Sequence, residues 1–416
     1  MGEKLTQKGM DTLYMEMEIP LCSLLFDMEV LGFCVDTQML ETLNHEYEKR
    51  LNTLTKEIYA LAGHEFNINS TRQLGEILFE ELGLPSGKKT KTGYSTDIEV
   101  LEGLEDAHPI VGRIIEYRKL QKLKSTYAEG LLRAADPVMH RVHTSFKQTI
   151  TATGRISSTE PNLQNIPIRT EMGRELRKAF IPGKPGQILV GADYSQIELR
   201  VLAHISGDQT LIDAFRTGQD IHTRTASEVF ETPMDEVNQA MRSSAKAVNF
   251  GIVYGISDFG LARNLGIPRK QAKVYIEKYL ERYPGVHAYM EEIVERGSRD
   301  GYVTTLFGRR RYLPELQSPN YNIRSFGKRV ALNTPIQGTA ADIIKVAMIR
   351  VDEALKQKRL KARLVLQIHD ELIVEAPEEE REEVSAVLKA CMENVIELSV
   401  PLVADVSSGR TWFDAK

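Results

Sequence analysis

Cysteine is scarce in this chain. Cys22, Cys34 and Cys391 lie far apart in no metal-binding spacing, which excludes a disulfide framework and a cysteine zinc site and fits a reducing, cytoplasmic compartment. No apolar run is long enough to span a bilayer, and the start lacks a signal-peptide pattern. Met1-Gly2-Glu3-Lys4-Leu5-Thr6 meets the formal myristoylation pattern, but so short a pattern arises often by chance. Internal repeats, low-complexity tracts and flexible linkers are also missing. So is a large excess of charge of one sign: the net charge is −5, which does not advertise binding to nucleic acid. What remains is a globular composition, 42% hydrophobic and 27% charged, in 416 residues. That length is enough for roughly two to four domains.

The net charge hides its distribution. Acid gathers in Glu378-Glu379-Glu380-Arg381-Glu382-Glu383, where the opening turns of a helix would suit it. Base gathers in Lys88-Lys89-Thr90-Lys91, in Arg118-Lys119 with Lys122 and Lys124, in Arg309-Arg310-Arg311 and in Lys328-Arg329. Each basic group alone reads as solvated surface; together they can form an electrostatic footprint.

Periodicity predicts a helical block first. Helices are expected over 10–33, 37–62, about 70–82 and about 109–132, ending near the turn at Asp136-Pro137. Alternation from Val142 through Phe146, then Thr149 to Thr151, predicts strands. Ile188 to Val190 is a buried-strand run that leads to Asp193 at an opening sheet edge. Residues 206–300 are mostly helical, 311–317 a loop, and 333–355 a helix placed after Pro335. Leu364 to Glu375 reads as two short strands around a turn at His369-Asp370.

Three segments carry chemistry. Asp193 ends an apolar strand; it could equally cap the following helix. Asp370 sits at a hairpin tip, where Asp is ordinary turn chemistry, but His369-Asp370-Glu371 has more titratable groups than a turn needs. If that hairpin lies beside the strand of Asp193, the carboxylates meet and repel unless divalent cations lie between them. Between these segments, Arg242, Lys246, Phe250 and Tyr254 recur every four residues. Four residues turn a helix by about 400°, so the set drifts only about 40° per step and holds one face. Two cations followed by two aromatic rings suit a nucleoside triphosphate, although an amphipathic helix with a basic edge would look alike.

These segments resemble the motifs of the family A DNA polymerases, the bacterial DNA polymerase I type, and its polymerase region only. Asp193-Tyr194-Ser195-Gln196-Ile197-Glu198-Leu199-Arg200 is similar to the first motif. Arg242-x3-Lys246-x3-Phe250-x3-Tyr254-Gly255 is similar to the second, and Gln367-Ile368-His369-Asp370-Glu371 to the third. Thr151-Ala152-Thr153-Gly154-Arg155, the run Pro161 to Pro167, and Asn333 to Asp342 also fit. The likeness runs from about residue 14 to Trp412.

The resemblance implies an α+β right-hand polymerase fold with an antiparallel-sheet palm and largely helical thumb and fingers. The palm would take 1–35, 141–196 and 317–416, the thumb 36–140 and the fingers 197–316. It implies a primer 3′-hydroxyl attacking a dNTP, with primer-template DNA as partner, in a chain that works as a monomer. Asp193, Asp370 and the carbonyl of Tyr194 would hold two Mg²⁺ ions, with Mn²⁺ able to substitute. Asp193, Asp370, Lys246 and Glu371 form the implied catalytic set, Lys246 also as proton donor to pyrophosphate. Arg242, Lys246, His222, Phe250, Tyr254, Gln196 and Glu198 are implied at the nucleotide. Glu198 with Tyr254 would leave no room for a 2′-hydroxyl, and Phe250 implies discrimination against dideoxynucleotides. Arg155, Asn162, Gln164, Asn165, Asn333, Gln337 and His369 are implied on the DNA minor groove and terminus, where acceptors recur at nearly the same place in every pair. Lys88, Lys89, Lys91, Lys122 and Lys124 would meet phosphates, in a salt-sensitive manner. No segment matches an exonuclease or 5′-nuclease domain, so no 3′→5′ exonuclease activity is expected. A single-subunit RNA polymerase would share the aspartates and the cationic helix, but Glu198 argues against it. A DNA-binding scaffold without catalysis would not need both aspartates and both cations.

Overall fold

The structure is a computed structural model that describes residues 2–85, 89–90, 93–167 and 171–416. The expected helix over 10–33 is present as π-helical turns over Leu13–Glu18 that run into α1, Ile19–Leu31, closed by Gly32 at φ 67°. α2, Thr37–Ala62, has the predicted bounds. Asp36 caps it, accepting from Met39 N at 2.9 Å, and Leu40, Leu43, Tyr47, Leu51, Leu54 and Ile58 form its buried stripe. α3, Pro109–Lys122, packs along α2 and continues through further helical turns to Ala134.

The central sheet is assembled from distant segments. Its strands are β1, Gln187–Tyr194, then β2, Arg363–Ile368, β3, Glu371–Pro377, and β4, Ala404–Gly409. They lie in the order β2-β3-β1-β4, all antiparallel. β1 is thus an inner strand, not the sheet edge expected from its sequence. It is buried over most of its length, as its unbroken apolar run requires. The helix Arg381–Glu393 packs against β1 and β4, and Trp412 is fully buried beside Phe33 and Phe180, with ring centroids 6.1 and 5.3 Å away. Gly191 is needed here, because a Cβ would lie 2.0 Å from the Ala415 carbonyl oxygen.

A long crossing helix takes the other expectations further. α4, Tyr321–Gln357, begins well before Pro335 and carries it internally. Its start is set by Asn320, whose side chain accepts from Asn322 N at 2.9 Å. Burial of Ile336, Ile343, Met348 and their neighbours outweighs the one hydrogen bond a proline removes. The expected loop over 311–317 is instead a strand, Arg310–Tyr312, and a 3₁₀ turn, Pro314–Gln317. Thr149 to Thr151 is not strand; it is bent chain leading into a turn in which Thr151 Oγ1 donates to Arg155 O.

Two buried charge networks join the parts. Arg141 Nη2 meets both Glu375 oxygens, at 2.7 and 2.8 Å, and its Nη1 donates to Gly32 O at 2.9 Å. Arg141→Met strands a buried carboxylate, so an unfolding loss of about 3–5 kcal/mol is expected in urea titration, most of it recovered in Arg141→Met/Glu375→Met. The second network corrects the reading of Arg309 as solvated surface. Its guanidinium is enclosed by Asp342, 2.7 Å away, and Glu18, while Lys345 Nζ reaches Glu18 at 2.8 Å. Arg309 also lies under the turn that presents Arg155. A Cβ on Gly154, which has φ +84°, would sit 2.5 Å from Arg309 Nε. Among the described residues no helix is long and apolar enough to cross a membrane.

Candidate active site

The end of β1 and the β2–β3 turn build one side of a cleft. β3 pairs with β1 so that Glu371 stands opposite Asp193, and Tyr194 N donates to Asp370 O at 3.1 Å. The hairpin tip therefore brings Asp370 beside Asp193. Burial and then the Asp370 charge push the Asp193 carboxyl up to about 7, against the pull of Lys416 Nζ at 3.9 Å. Burial and the Glu198 charge raise Asp370 as well. Neither carboxylate accepts a hydrogen bond from another residue's side chain among the described residues.

That shared penalty is the test for a cation, and the pair passes it: hard anionic oxygens held close, with only the distant Lys416 ammonium on Asp193 to offset their charge among the described residues, suit divalent ions. Among the described residues no group of three or more His, Cys, Asp or Glu forms a closed metal cage. Two carboxylates leave positions for a substrate's own oxygens. The Tyr194 side chain is turned away, its hydroxyl donating to Met392 O at 2.6 Å. Glu371 also departs from its expected place. Its carboxylate is buried and accepts from Trp412 Nε1 at 3.1 Å and Lys416 Nζ at 2.9 Å, so it faces the C-terminal segment rather than the cleft.

The opposite side is built by two helices, α5, Ile221–Phe230, and α6, Gln239–Val253. Asn238 caps α6, and Arg242, Lys246, Phe250 and the C-capping Tyr254 all line the cleft, which has a volume of about 680 Å³. Arg242 Nε is held by Asp220 Oδ2 at 2.6 Å. Burial raises Asp220, but the hydrogen bonds from Arg242 and Thr223 overcome this and hold it down to about 2. Lys246 is exposed, has no carboxylate partner among the described residues, and lies 6.0 Å from the Phe250 ring centre. The Phe250 and Tyr254 rings are stacked at 6.4 Å. His222 is buried beside Phe250; burial, with Arg242 and Lys246 nearby, brings it down to about 4, so it is neutral at pH 7.

The floor joins these sides. Glu198, on the helix Ile197–Ser206, is buried between Arg155 Nη2 and the Tyr254 hydroxyl, which donates to Glu198 Oε2 at 2.9 Å. Burial and the Glu198 charge push Tyr254 up to about 12. Arg155 and the Gln337 side chain pull the same hydroxyl the other way. Gln196, at φ 53°, keeps a buried Oε1 without a partner among the described residues, as does Asn333 Oδ1. Asn162, Gln164, Asn165 and His369 line the cleft with Arg155.

The predicted lysines gather less well. Lys122 is exposed at the end of α3, whereas Lys124 is committed to Glu129 Oε1 at 2.5 Å. Lys88, Lys91 and the side chain of Lys89 lie outside the described residues. Sequence reasoning missed Asp220, Lys416, Asn249, whose amide nitrogen lies 3.0 Å from His222 Nδ1, and Gln367, which lines the cleft and accepts from Gln164 Nε2 at 3.3 Å. Asp220 is a helix cap legible in sequence, and Asn249 and Gln367 are polar residues interrupting apolar stripes. Nothing in the sequence marks Lys416.

The chain is similar to known proteins along its length. The model of DNA polymerase family A matches residues 37–414. DNA polymerase I of Bacillus subtilis is 57% identical over 97% of this chain and 46% of its own length. That of Geobacillus stearothermophilus is 55% identical over 100% of this chain and 47% of its own. The chain thus spans a little under half of those relatives. The polymerase domain of Pol1 from M. smegmatis, solved with DNA primer-template and dNTP, superposes with a TM-score of 0.96 and 46% identity, covering 100% of this chain and 73% of that one. With the family model spanning most of its length and relatives above half identity along nearly all of it, this chain belongs to DNA polymerase family A.

Proposed function

We propose that the chain is a DNA-templated DNA polymerase that joins a dNTP to a primer 3′-hydroxyl and releases pyrophosphate. The observation that carries this reading is the cleft itself: Asp370, with Asp193 close beside it, on one side, and two cations and two stacked rings on the other. The sheet and its flanking segments, 1–35, 141–196 and 317–416, act as palm, with 36–140 as thumb and 197–316 as fingers. All site residues come from one chain, so a monomer suffices.

Asp193, Asp370 and the Tyr194 carbonyl would hold Mg²⁺, which when bound would supply charge neutralisation for the transfer. Lys246 and Arg242 take phosphate oxygens, Arg242 while shared with Asp220. Phe250 packs on the incoming nucleotide. Glu198 blocks the space a 2′-hydroxyl would need, and its bonds to Arg155 and Tyr254 hold it there. Arg155, Gln164, Asn165, Asn333, Gln337 and His369 offer hydrogen-bonding groups to the paired terminus, and the Gln196 and Asn333 oxygens, unpartnered among the described residues, can accept from donors there.

Extension of a labelled DNA primer on a longer DNA template, with Mg²⁺ and either dNTPs or rNTPs, tests the assignment. The native chain is expected to extend with dNTPs. Glu198→Ala is expected to raise ribonucleotide use relative to dNTP by roughly 10- to 100-fold. It also slows dNTP addition, because Arg155 and Tyr254 lose their partner. Unchanged sugar discrimination would remove Glu198 from this role, and a folded, DNA-binding native chain that extends nothing would overturn the activity.

A further inference from the structure

We propose that Asn249 is a positioning residue for nucleotide binding: its side-chain amide holds the His222 ring so that Nε2–H is presented to the cleft. The inference rests on the proposed contact between His222 and the triphosphate.

Asn249 lies on α6 between Lys246 and Phe250, yet it is fully buried. It faces α5, where the amide spans two partners. Its Nδ2 is 3.0 Å from His222 Nδ1, and its Oδ1 is 3.1 Å from Thr225 Oγ1. The hydrogens available favour one amide orientation. Thr225 is buried and has one hydroxyl hydrogen. Asn249 Oδ1 is a nearer acceptor than the Tyr283 hydroxyl, which is 3.4 Å away and donates its own hydrogen to Glu228 Oε2 at 3.1 Å. In the structure the amide oxygen faces Thr225, and the NH₂ faces His222. With Nδ1 accepting, the neutral ring carries its proton on Nε2.

The rest of the ring is fixed as well. Asp220 caps α5 by accepting from His222 N at 2.9 Å, and the same carboxylate holds Arg242. Phe250 packs against the ring at 5.8 Å. The two helices that supply the cationic side of the cleft are thus joined by two polar links. One is Asp220 to Arg242, the other Thr225 to Asn249 to His222. Without Asn249, His222 can turn or exchange its ring proton, and a nucleotide must select the one arrangement that donates.

Steady-state kinetics on the full chain test this with Asn249→Leu, His222→Ala and the double variant, with the fold of each checked by circular dichroism. Each single variant is expected to raise KM for dNTP about tenfold while kcat stays within about threefold, the signature of a lost ground-state contact. The double variant is expected to be no worse than His222→Ala. Nitrogen NMR of the histidine rings in the native protein, with His222 assigned by its loss in His222→Ala, is expected to show the Nε2-protonated tautomer. If Asn249→Leu fails to fold, Thr225→Val, which frees the amide to turn, takes its place and is expected to raise KM in the same direction. An Asn249→Leu effect that is absent, or that multiplies on His222→Ala, overturns the proposal, as does an Nδ1-protonated ring. A His222→Ala variant with unaltered KM instead removes His222 from the triphosphate.

Discussion

Asp370→Asn is expected to lower primer extension by at least about a thousandfold, ~4 kcal/mol of barrier, while making the metal-free protein more stable. Both effects have one cause. The fold holds Asp193 and Asp370 together against their charge, and that repulsion is relieved by a bound cation or by neutralising one acid. The sign of the pH dependence follows. Asp193 titrates near 7 in the folded chain and near 4 when unfolded, so the folded state binds more protons between those values. The site's contribution therefore declines as pH rises from about 4 to 7 and is fully lost above. Asp193 has a side chain 42% exposed, so screening limits the effect to the order of 1–2 kcal/mol. Thermal melts of metal-free protein across that range are expected to show the decline in the native chain and its flattening in Asp370→Asn. Added Mg²⁺ is expected to raise the native melting temperature and to leave the variant nearly unmoved. A variant that extends primers normally, or a native chain that ignores Mg²⁺, would refute the placement of the metal site.

Lys246→Ala is expected to reduce kcat/KM for dNTP by about 100- to 1,000-fold, ~3–4 kcal/mol. Lys246 is the exposed cation on the cleft side of α6 without a carboxylate partner among the described residues, so nothing must be surrendered when a phosphate arrives. Arg242, by contrast, is already held by Asp220. Lys246→Arg keeps the charge but replaces a compact ammonium with a planar fork, and is expected to retain activity within about tenfold of native. Single-turnover dNTP titration separates the effects. A loss confined to binding would assign Lys246 to the ground state, and a normal kcat/KM would exclude it from the reaction.

Much of the site was legible because its parts are local. The fourfold spacing of Arg242, Lys246, Phe250 and Tyr254 sets them on one face whatever surrounds the helix, and the structure lines the cleft with all four. The apolar run before Asp193 and the paired apolar strands around His369-Asp370 likewise announce themselves. Helix α2 was legible to the residue, since its cap and its closing glycine are adjacent to its stripe.

The misses share a different physics. Pro335 reads as a helix start, but burial along α4 overrides that local preference. Arg309 reads as one of three surface arginines until Glu18 and Asp342, from both ends of the chain, enclose it. Glu371 shares a motif with Asp370, yet strand alternation and the C-terminal Trp412 and Lys416 draw its carboxylate elsewhere. Asn249 and Asp220 act only through neighbours on another helix.

The sequence by itself determined which chemical groups exist and which of them share a helix face or a turn, because helix and strand periods are properties of the backbone. Only the tertiary structure decided that Asp193 and Asp370 meet, that Glu198 is clasped by Arg155 and Tyr254, and that His222 is neutral. Those depend on through-space distance and on exclusion of water, and neither is written in residue spacing.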